Sequence, residues 1–423
     1  MTTTKNNEHK KLNVPNLRFP EFQGEWEELG LSEFLDFKNG LNPKPDKFGK
    51  GIKFISVMDI LNNAVITYDC IKASVDVTEK ELSDFSVEKG DMLFQRSSET
   101  LEDVGRANVY MDDKTAVFGG FVIRGKRKGE YDPQYFNYLL RSPFARKRII
   151  PMGAGAQHFN IGQEGLSKVK LHFANIEEQK KIGKMLSLLD ERIATQNKII
   201  EDLKKLKSAI IEKVFCSPNQ KNPMCRIEGF EQALTTYKMS EFSSRIATKN
   251  KDSKCSLVLT IAAQYGLVNQ ESFFNKSVAS ENLTGYYLLH KGEFAYNRSY
   301  SAGYDWGAVK RLDNYDEGVL STLYICFKIN ETIVDSDYLT YYFESTKWHR
   351  GLSDIAGEGA RNHGLLNVSI TDYFNTKHRF PVIEEQKAIA KMLNTITEKE
   401  RKATLLGECY QKQKQYLLRQ MFI

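Results

Sequence analysis

An eleven-residue segment occurs twice in this chain, and the repeat constrains the fold more than any other feature. Residues 176–186 read IEEQKKIGKML and residues 383–393 read IEEQKAIAKML, with nine of the eleven positions identical at an offset of 207. Solenoid repeats have periods of roughly 20 to 50 residues, so this spacing predicts two whole domains instead. An internal duplication builds an object with pseudo-twofold symmetry, and double-stranded DNA is the commonest target with matching geometry.

Each copy of the repeat opens a long segment with helical apolar periodicity. Positions seven apart are mostly apolar, with Ile182, Leu189, Gln196, Leu203 and Ile210 in the first segment and Ile389 and Ile396 in the second. No proline interrupts either segment, and helices of this length favour a coiled-coil or spacer role. Because each apolar seam needs a partner, we expect the two helices to pack antiparallel.

The predicted fold class is therefore α+β. Two tandem mixed α/β domains are each followed by a long helix, and the two helices form an antiparallel coiled-coil spacer with pseudo-twofold symmetry. Shared anchors support the duplication, since Arg96-Ser97 recurs as Arg298-Ser299 and Gly105 as Gly307. The expected segments are a flexible N-terminal tail (1–20), the first domain (21–175), the first spacer helix (176–215), a linker (216–228), the second domain (229–382) and the second spacer helix (383–423).

Composition narrows the class of protein. The net charge of +6 and the pI of about 8.7 are compatible with a polyanionic partner but do not prove one. No run of 18 apolar residues is present, so no membrane span is predicted. The polar N-terminus MTTTKNNEHKK lacks the apolar core of a secretory signal, and the six cysteines form no CxxC pair. These features predict a cytoplasmic protein with reduced thiols.

Several catalytic motifs are missing from the sequence. No Pro-Pro pair is present, which excludes the [DNS]-P-P-[FYW] loop of adenine-N6 methyltransferases. There is also no P-loop, no HExxH and no nuclease signature. The segments GAGA (153–156) and GEGA (357–360) favour turns over nucleotide loops. We therefore expect a non-catalytic binding protein that holds no metal and no cofactor itself.

Two domains, each followed by a helix that opens with IEEQKxIxKML, resemble the specificity subunit of type I restriction–modification systems. The resemblance spans essentially the whole chain and includes the segments GDMLFQR (90–96) and GEFAYNR (292–298) and the glycine-rich loop before each helix. It implies that each domain is a target recognition domain for one half of a bipartite, asymmetric DNA site. It also implies that the helices set the spacer between the halves and dock two methyltransferase subunits, which restriction subunits then join. S-adenosylmethionine, ATP and magnesium would belong to those partner subunits.

Candidate DNA-binding residues lie in the segments between the shared anchors. Arg, Asn and Gln suit the bidentate contacts that read guanine and adenine. The candidates are Gln95, Arg96, Ser97, Ser98, Arg106, Gln157, His158 and Asn160 in the first domain, and Asn297, Arg298, Ser299, Tyr300, Lys310, Arg361, Asn362 and His363 in the second. Because Arg96 and Arg298 occupy equivalent positions, a shared scaffold or phosphate role competes with base reading. Loop hydrogen bonding competes for the two histidines.

The helix starts are candidate docking surfaces. An apolar seam does not require the same polar residues twice, so two copies of one surface predict two copies of one bound protein. The candidates are Glu177, Glu178, Gln179, Lys180, Glu384, Glu385, Gln386 and Lys387. The alternative is that the glutamates stabilise the helix N-termini electrostatically.

Two other function classes stay open. One is a coiled-coil scaffold that never meets DNA, and the other is a self-contained DNA-modifying enzyme with an unrecognised site.

Overall fold

The chain folds into two compact units. The computed structural model describes residues 13–251, 254–276, 282–299, 303–356 and 366–423. Unit 1 comprises Met1–Asn197 and Leu405–Ile423, and unit 2 comprises Lys198–Thr404. These units differ from the linear division expected from the sequence, because each long helix begins in one unit and ends in the other.

Unit 1 is built from short strands and helices that precede the first long helix. Its strands are β1 (Glu27–Gly30), β2 (Leu35–Asn39), β3 (Phe48–Ile55), β4 (Ser74–Val75), β5 (Ser86–Val87), β6 (Met92–Gln95), β7 (Ser97–Ser98), β8 (Ala107–Val109), β9 (Ala116–Phe118), β10 (Val122–Arg127), β11 (Phe159–Asn160) and β12 (Lys170–Phe173). Its helices are α1 (Leu31–Phe34), α2 (Val57–Asn62), α3 (Glu79–Phe85), α4 (Pro133–Arg141), α5 (Pro143–Ile149), α6 (Gln163–Ser167) and the start of α7 (Ile176–Val214).

Two four-stranded sheets organise unit 1. Their strand orders are β2–β10–β6–β8 and β4–β3–β9–β5. Strand β6 reads MLFQ and is buried along its whole length, as expected for a strand flanked on both edges. The core cluster beside it contains Phe94, Ile123, Phe136 and Leu139, so α4 covers one face of the first sheet.

Unit 2 repeats this plan after the first long helix ends. Its strands are β13 (Thr235–Lys238), β14 (Ser243–Arg245), β15 (Leu259–Ala262), β16 (Gly266–Asn269), β17 (Tyr287–His290), β18 (Phe294–Asn297), β19 (Ala308–Arg311), β20 (Glu317–Leu320), β21 (Ile325–Ile329) and β22 (Lys377–Phe380). Its helices are α8 (Met239–Phe242), α9 (Gln270–Phe274), α10 (Ser336–Tyr342), α11 (His349–Ser353), α12 (Ile370–Asn375) and the start of α13 (Ile383–Gln420).

The two units share one sheet topology. The order β14–β21–β18–β19 in unit 2 matches β2–β10–β6–β8 in unit 1, and the pair β13–β22 matches β1–β12. Equivalent glycines take the same left-handed backbone, with φ of +67° at Gly105 and +75° at Gly307. Side chains at these φ values are strained, which explains why both copies keep glycine. The internal duplication predicted from the sequence is thus a duplication of fold.

Segments of the two long helices pair antiparallel inside each unit. In unit 1, Lys414 of α13 forms an ion pair with Asp190 of α7 at 2.5 Å, and the Arg192 guanidinium lies over the Tyr410 ring. In unit 2, Lys207 of α7 lies 3.7 Å from Glu400 of α13. Rising numbers on one helix meet falling numbers on the other, which confirms the predicted antiparallel packing within each unit.

The start of α7 is locked to unit 1 by two buried polar side chains. Glu178 has no exposed surface and accepts hydrogen bonds of 2.8 Å from both Nε and Nη2 of Arg18. Gln179 accepts a hydrogen bond from the amide of Asp132, the N-cap of α4, and donates one to the carbonyl of Ala174. These bonds fix the direction in which the long helix leaves its unit.

The start of α13 carries the same lock in unit 2. Glu385 pairs with Arg226, and Gln386 accepts from the amide of Asp335 at 2.9 Å and donates to the carbonyl of Pro381. Asp335 is the N-cap of α10, as Asp132 is of α4. The repeated Glu-Gln pair is therefore explained by internal anchoring.

This finding corrects half of the docking prediction. The buried side chains Glu178, Gln179, Glu385 and Gln386 face into their own units and present no surface to a partner. The solvent-facing members Glu177, Lys180, Glu384 and Lys387 keep their predicted docking role as a proposal.

The prediction of a flexible tail is wrong for residues 13–20. Leu17 donates its amide to the carbonyl of Gln420, and Arg18 supplies the cation of the helix lock. The linker is likewise engaged, since Arg226 makes the equivalent ion pair. Both segments look polar in the sequence, but each contributes one arginine that is mostly withdrawn from solvent. Residues 1–12 lie outside the described residues.

We predict that Gln179→Ala and Gln386→Ala each lower the free energy of unfolding of the affected unit by about 1–3 kcal/mol, because each leaves a buried amide and carbonyl unpaired. Denaturant unfolding of the full chain measures this effect. Lys180→Ala and Lys387→Ala, one position further along the same helices, are the matched controls and should shift stability by less than about 0.5 kcal/mol. Equal effects of the glutamine and lysine variants would contradict the anchoring role.

Unit 2 also contains a fully buried histidine. The Nδ1 of His378 lies 3.1 Å from the Tyr342 hydroxyl and its Nε2 lies 2.8 Å from the Thr376 hydroxyl. Burial lowers the pKa of His378 to about 3, so the ring is neutral in the folded protein at moderately acid pH.

We predict that acidification destabilises unit 2 through His378. The unfolded chain binds a proton near the ordinary pKa of 6.5 while the folded chain does not, so stability falls as the pH drops from about 6.5 toward 3. The limiting slope is about 1.4 kcal/mol per pH unit. His378→Gln keeps an uncharged hydrogen-bonding group, and its unfolding curve should depend less steeply on pH. An unchanged slope would exclude His378 as the titrating group.

Candidate nucleic-acid interface

Strands β7 and β11 bring two groups of predicted DNA-binding residues together in unit 1. They pair antiparallel, with Ser97 opposite Asn160 and Ser98 opposite Phe159. The Ser97 hydroxyl hydrogen-bonds the side-chain oxygen of Asn160, although 63 residues separate them in the sequence. The neighbouring side chains of Gln157 and His158 are exposed. This surface offers hydroxyl, amide and imidazole groups within one small area.

Two members of the predicted set have structural roles. Gln95 is 5% exposed and donates its side-chain amide to the carbonyl of Ser97. The hydroxyl of Ser98 accepts a hydrogen bond from the amide of Thr100 and so closes the following turn. We therefore revise the prediction for Gln95 and Ser98, because neither side chain presents a free polar group to a base.

Arg96 and its equivalent Arg298 donate hydrogen bonds to neighbouring backbone carbonyls. Arg96 donates from Nη1 to the carbonyl of Gly120 at 3.3 Å. Arg298 donates from Nε and Nη2 to the carbonyl of Leu323 at 3.2 and 3.0 Å, and from Nη1 to that of Val368 at 3.2 Å. With most of its donors engaged, the guanidinium of Arg298 acts as scaffold. The structure favours the shared-scaffold alternative over base reading for this pair.

The candidates in unit 2 are only partly described. The side-chain oxygen of Asn297 accepts a hydrogen bond from the amide of Ser299 at 3.0 Å, which shapes the turn after β18. Lys310 is mostly enclosed; burial lowers the pKa of its ammonium, and the nearby Lys207 lowers it further while Glu344 opposes the shift. Tyr300, Arg361, Asn362 and His363 lie outside the described residues.

Arg106 lines a cavity that also receives two arginines not predicted from the sequence. The cavity measures about 410 Å³, and Arg141 and Arg146 stand in its wall. Arg106 pairs with Asp103 at 2.6 Å, whereas Arg146 has, among the described residues, only the backbone carbonyls of Glu102 and Val104 as hydrogen-bond acceptors.

The charge of this cavity is incompletely compensated. Burial lowers the pKa of Arg146 to about 10, and repulsion from Arg106 acts in the same direction while the Asp103 carboxylate opposes it. The Nη1 of Arg146 is buried and has no hydrogen-bond partner among the described residues. A phosphate oxygen close to these groups would relieve the repulsion. The basic segment RSPFARKR (141–148) is the signal by which the sequence could have indicated this region.

Other kinds of site find no support in the described part of the chain. None of its helices combines the length and apolar character that a bilayer crossing requires. Across the same ranges, no three His, Cys, Asp or Glu side chains are grouped so as to hold a metal ion. All six cysteines are described, and none forms a disulfide.

Comparison with known proteins finds a family model that matches the first half of the chain. Residues 23–205 match the type I restriction modification DNA specificity domain. The second half of the chain repeats the sheet topology of the first.

Curated proteins that resemble parts of this chain are specificity subunits by name. A putative type I restriction enzyme MjaX specificity subunit from Methanocaldococcus jannaschii is 28% identical over 212 residues, which cover 49% of each protein. The EcoKI specificity subunit of Escherichia coli K12 is 25% identical over 138 residues, covering 32% of this chain and 28% of the relative. The chain thus aligns with about half the length, or less, of the curated relatives it matches.

Solved structures share the fold of this chain along nearly its whole length. The type I restriction–modification S subunit of M. genitalium has a TM-score of 0.56 at 15% identity, covering 97% of this chain and 99% of that one. A chain from a structure on assembly and conformational transition of the type I system has a TM-score of 0.53 at 13% identity, covering 93% and 96%. At these identities the likeness establishes the fold alone.

We predict that Arg298→Ala lowers the stability of unit 2 by about 1–3 kcal/mol, because two backbone carbonyls lose their charged donor. Arg298→Lys should rescue little, since an ammonium cannot reproduce the planar fork that spans both carbonyls. Thermal unfolding without DNA provides the measurement. A base-reading arginine would instead leave the stability of the free protein unchanged.

Proposed function

We propose that this chain is the DNA-reading subunit of a type I restriction–modification complex. The proposal rests on residues that lie close together at one edge of unit 1. Exposed polar side chains of β11 and its loop lie beside β7, which directly follows β6. The last residue of β6, Gln95, hydrogen-bonds the backbone of Arg106, which lines the arginine cavity. Polar groups of this kind can read base edges, and a cavity with three guanidinium groups and fewer carboxylates suits a backbone phosphate. The match of residues 23–205 to the type I restriction modification DNA specificity domain supports the same conclusion.

In this proposal each unit reads one half of a bipartite site. The two units share a scaffold, but the segments after the β6 and β18 strands differ, reading QRSSETLEDVGRANV (95–109) and NRSYSAGYDWGAVKR (297–311). The arginine cavity is also confined to unit 1, because the positions equivalent to Arg106, Arg141 and Arg146 are Ala308, Glu344 and His349. Unlike chemistry on one scaffold supports unlike half-sites, and hence an asymmetric target.

The proposal assigns catalysis to other subunits. Methyltransferase subunits would carry S-adenosylmethionine, and restriction subunits would carry ATP and magnesium. We propose that two methyltransferase subunits dock at the exposed faces of the helix starts. Glu177 and Lys180 form a 2.8 Å ion pair on the surface of α7, and Glu384 and Lys387 stand at the equivalent positions of α13. Two similar charged surfaces, one per unit, support a stoichiometry of two.

We predict sequence-specific binding of a bipartite duplex by the complex of this chain with its methyltransferase. Sequencing of N6-methyladenine in cells with and without the gene identifies the site, and a gel-shift titration measures affinity. Arg106→Ala should weaken binding to all sequences and reduce the slope of log affinity against log salt by about 1, as loss of one phosphate contact requires.

The matched control is Arg148→Ala, which removes an arginine of the same segment that pairs with Glu28 and does not line the cavity. It should leave the salt slope unchanged. A methylome that is identical with and without the gene, together with no specific gel shift, would refute the DNA-reading function and favour a scaffold. Binding of S-adenosylmethionine by the purified chain alone would favour the rival reading as an enzyme.

A further inference from the structure

Each unit exposes one large apolar side chain at the tip of the same turn, which joins strands of two different sheets. In unit 1 the tip joins β9 to β10 and carries Phe121, which is 69% exposed. In unit 2 the tip joins β20 to β21 and carries Leu323, which is 57% exposed. The two residues lie 202 positions apart, the offset that also relates Arg96 to Arg298 and Gly105 to Gly307. Phe121 and Leu323 are therefore structural equivalents.

The repeated arginine fastens this tip in both units. The amide of Arg96 donates to the carbonyl of Phe121 at 2.8 Å, and its guanidinium donates to Gly120. In unit 2 the guanidinium of Arg298 donates twice to the carbonyl of Leu323. Arg96 and Arg298 thus act as positioning residues that hold an apolar tip beside the end of β6 or β18.

The tip in unit 1 packs closely against its neighbours apart from its outward side chain. A Cβ atom on Gly120 would lie 1.9 Å from the side-chain oxygen of Asn42, and one on Gly40 would lie 2.0 Å from the carbonyl oxygen of Gly119. Phe121 is thus exposed on a closely packed turn.

The surroundings of Phe121 favour nucleic acid as the occupant. The residue borders a cavity of about 430 Å³ with Met58 and Phe48, and Ser97 of the polar surface lines the same cavity. Lys44 is exposed and follows Pro43, which lines the cavity, and Lys47 and Lys50 share the single carboxylate of Asp76. A single exposed apolar residue is ordinary on protein surfaces. The tip of unit 1, however, lies near polar and cationic groups, and an apolar residue recurs at the equivalent position of unit 2. This combination suits contact with a duplex groove.

We propose, on the basis of the proposed function, that Phe121 and Leu323 are the apolar base contacts of the two units, each meeting the base pairs of its own half-site. Apolar side chains in a groove contact the thymine methyl group or wedge against the face of a base pair. The two residues differ in size and shape, so the two tips would favour different base steps. Neither contact carries a charge, so sequence preference changes without a change in salt dependence.

The experiment uses the full chain assembled with its methyltransferase on the duplex identified by methylome sequencing. The variants are Phe121→Ala, Leu323→Ala and the conservative Phe121→Leu, with Leu188→Ala as a control that truncates an exposed apolar residue on α7. Affinity is measured for the cognate duplex, for a random duplex, and for duplexes with base changes in either half-site. Because Phe121 and Leu323 are exposed, their truncation leaves no internal cavity, and thermal unfolding checks that the fold is retained.

We expect Phe121→Ala to weaken cognate binding by roughly tenfold or more, the scale of one lost base contact. Its affinity for random DNA and its salt slope should not change, and it should lose discrimination in one half-site only. Leu323→Ala should lose discrimination in the other half-site, and Phe121→Leu should recover part of the affinity. Wild-type discrimination in both alanine variants, an equal loss on random DNA, or weaker methyltransferase assembly instead of weaker DNA binding would each overturn the inference. Failure of the wild-type complex to bind any duplex specifically would instead refute the proposed function itself.

Discussion

The buried glutamate and glutamine at each helix start attach each long helix to the unit in which it begins. A carboxylate without solvent contact is tolerated only when a cation and hydrogen bonds compensate it, and removal of one partner costs several kcal/mol. Glu178 obtains this compensation from Arg18 and Trp26, and Gln179 joins the end of β12 to the N-terminus of α4. The long helix therefore cannot pivot freely on its unit. Its direction is set by these buried hydrogen bonds.

Residues that are repeated in both units bind the backbone of their own unit, whereas the proposed DNA-binding residues differ between the units. The residues that occur twice, such as Arg96 with Arg298 and Gln179 with Gln386, bind backbone groups of their own unit. The residues that occur once, such as Arg106 and Asn160, are exposed between those supports. This division lets two units hold the same architecture while offering different chemistry to a ligand. It also explains why four of the eight residues repeated at the helix starts are buried within their own units.

Much of the architecture could be predicted from the sequence. The apolar period and the absence of proline are local signals, and α7 and α13 begin at Ile176 and Ile383, where the repeat begins. Burial of polar residues was not predictable in the same way, because it depends on partners distant in the sequence. Gln95 and Glu178 are residue types common on protein surfaces, but in the fold both are buried. Gln95 lies opposite Arg106, and Glu178 pairs with Arg18. The arginine cavity escaped attention for a similar reason, since Arg106 and Arg146 meet only after α5 folds onto the β8 region.

The anchoring geometry limits how segments of this chain can be exchanged. At position 183 of α7, a Cβ atom would lie 2.4 Å from the side-chain oxygen of Asp132 and 2.8 Å from the amide of Tyr135, so the helix meets α4 at glycine. The equivalent position of α13 is Ala390, which is buried and accommodated in unit 2. A crossover between the two repeats that placed alanine at 183 would press a methyl group into the α4 N-cap. The two eleven-residue repeats, although nearly identical in sequence, are therefore not interchangeable, because the methyl group of alanine fits in unit 2 and does not fit at position 183.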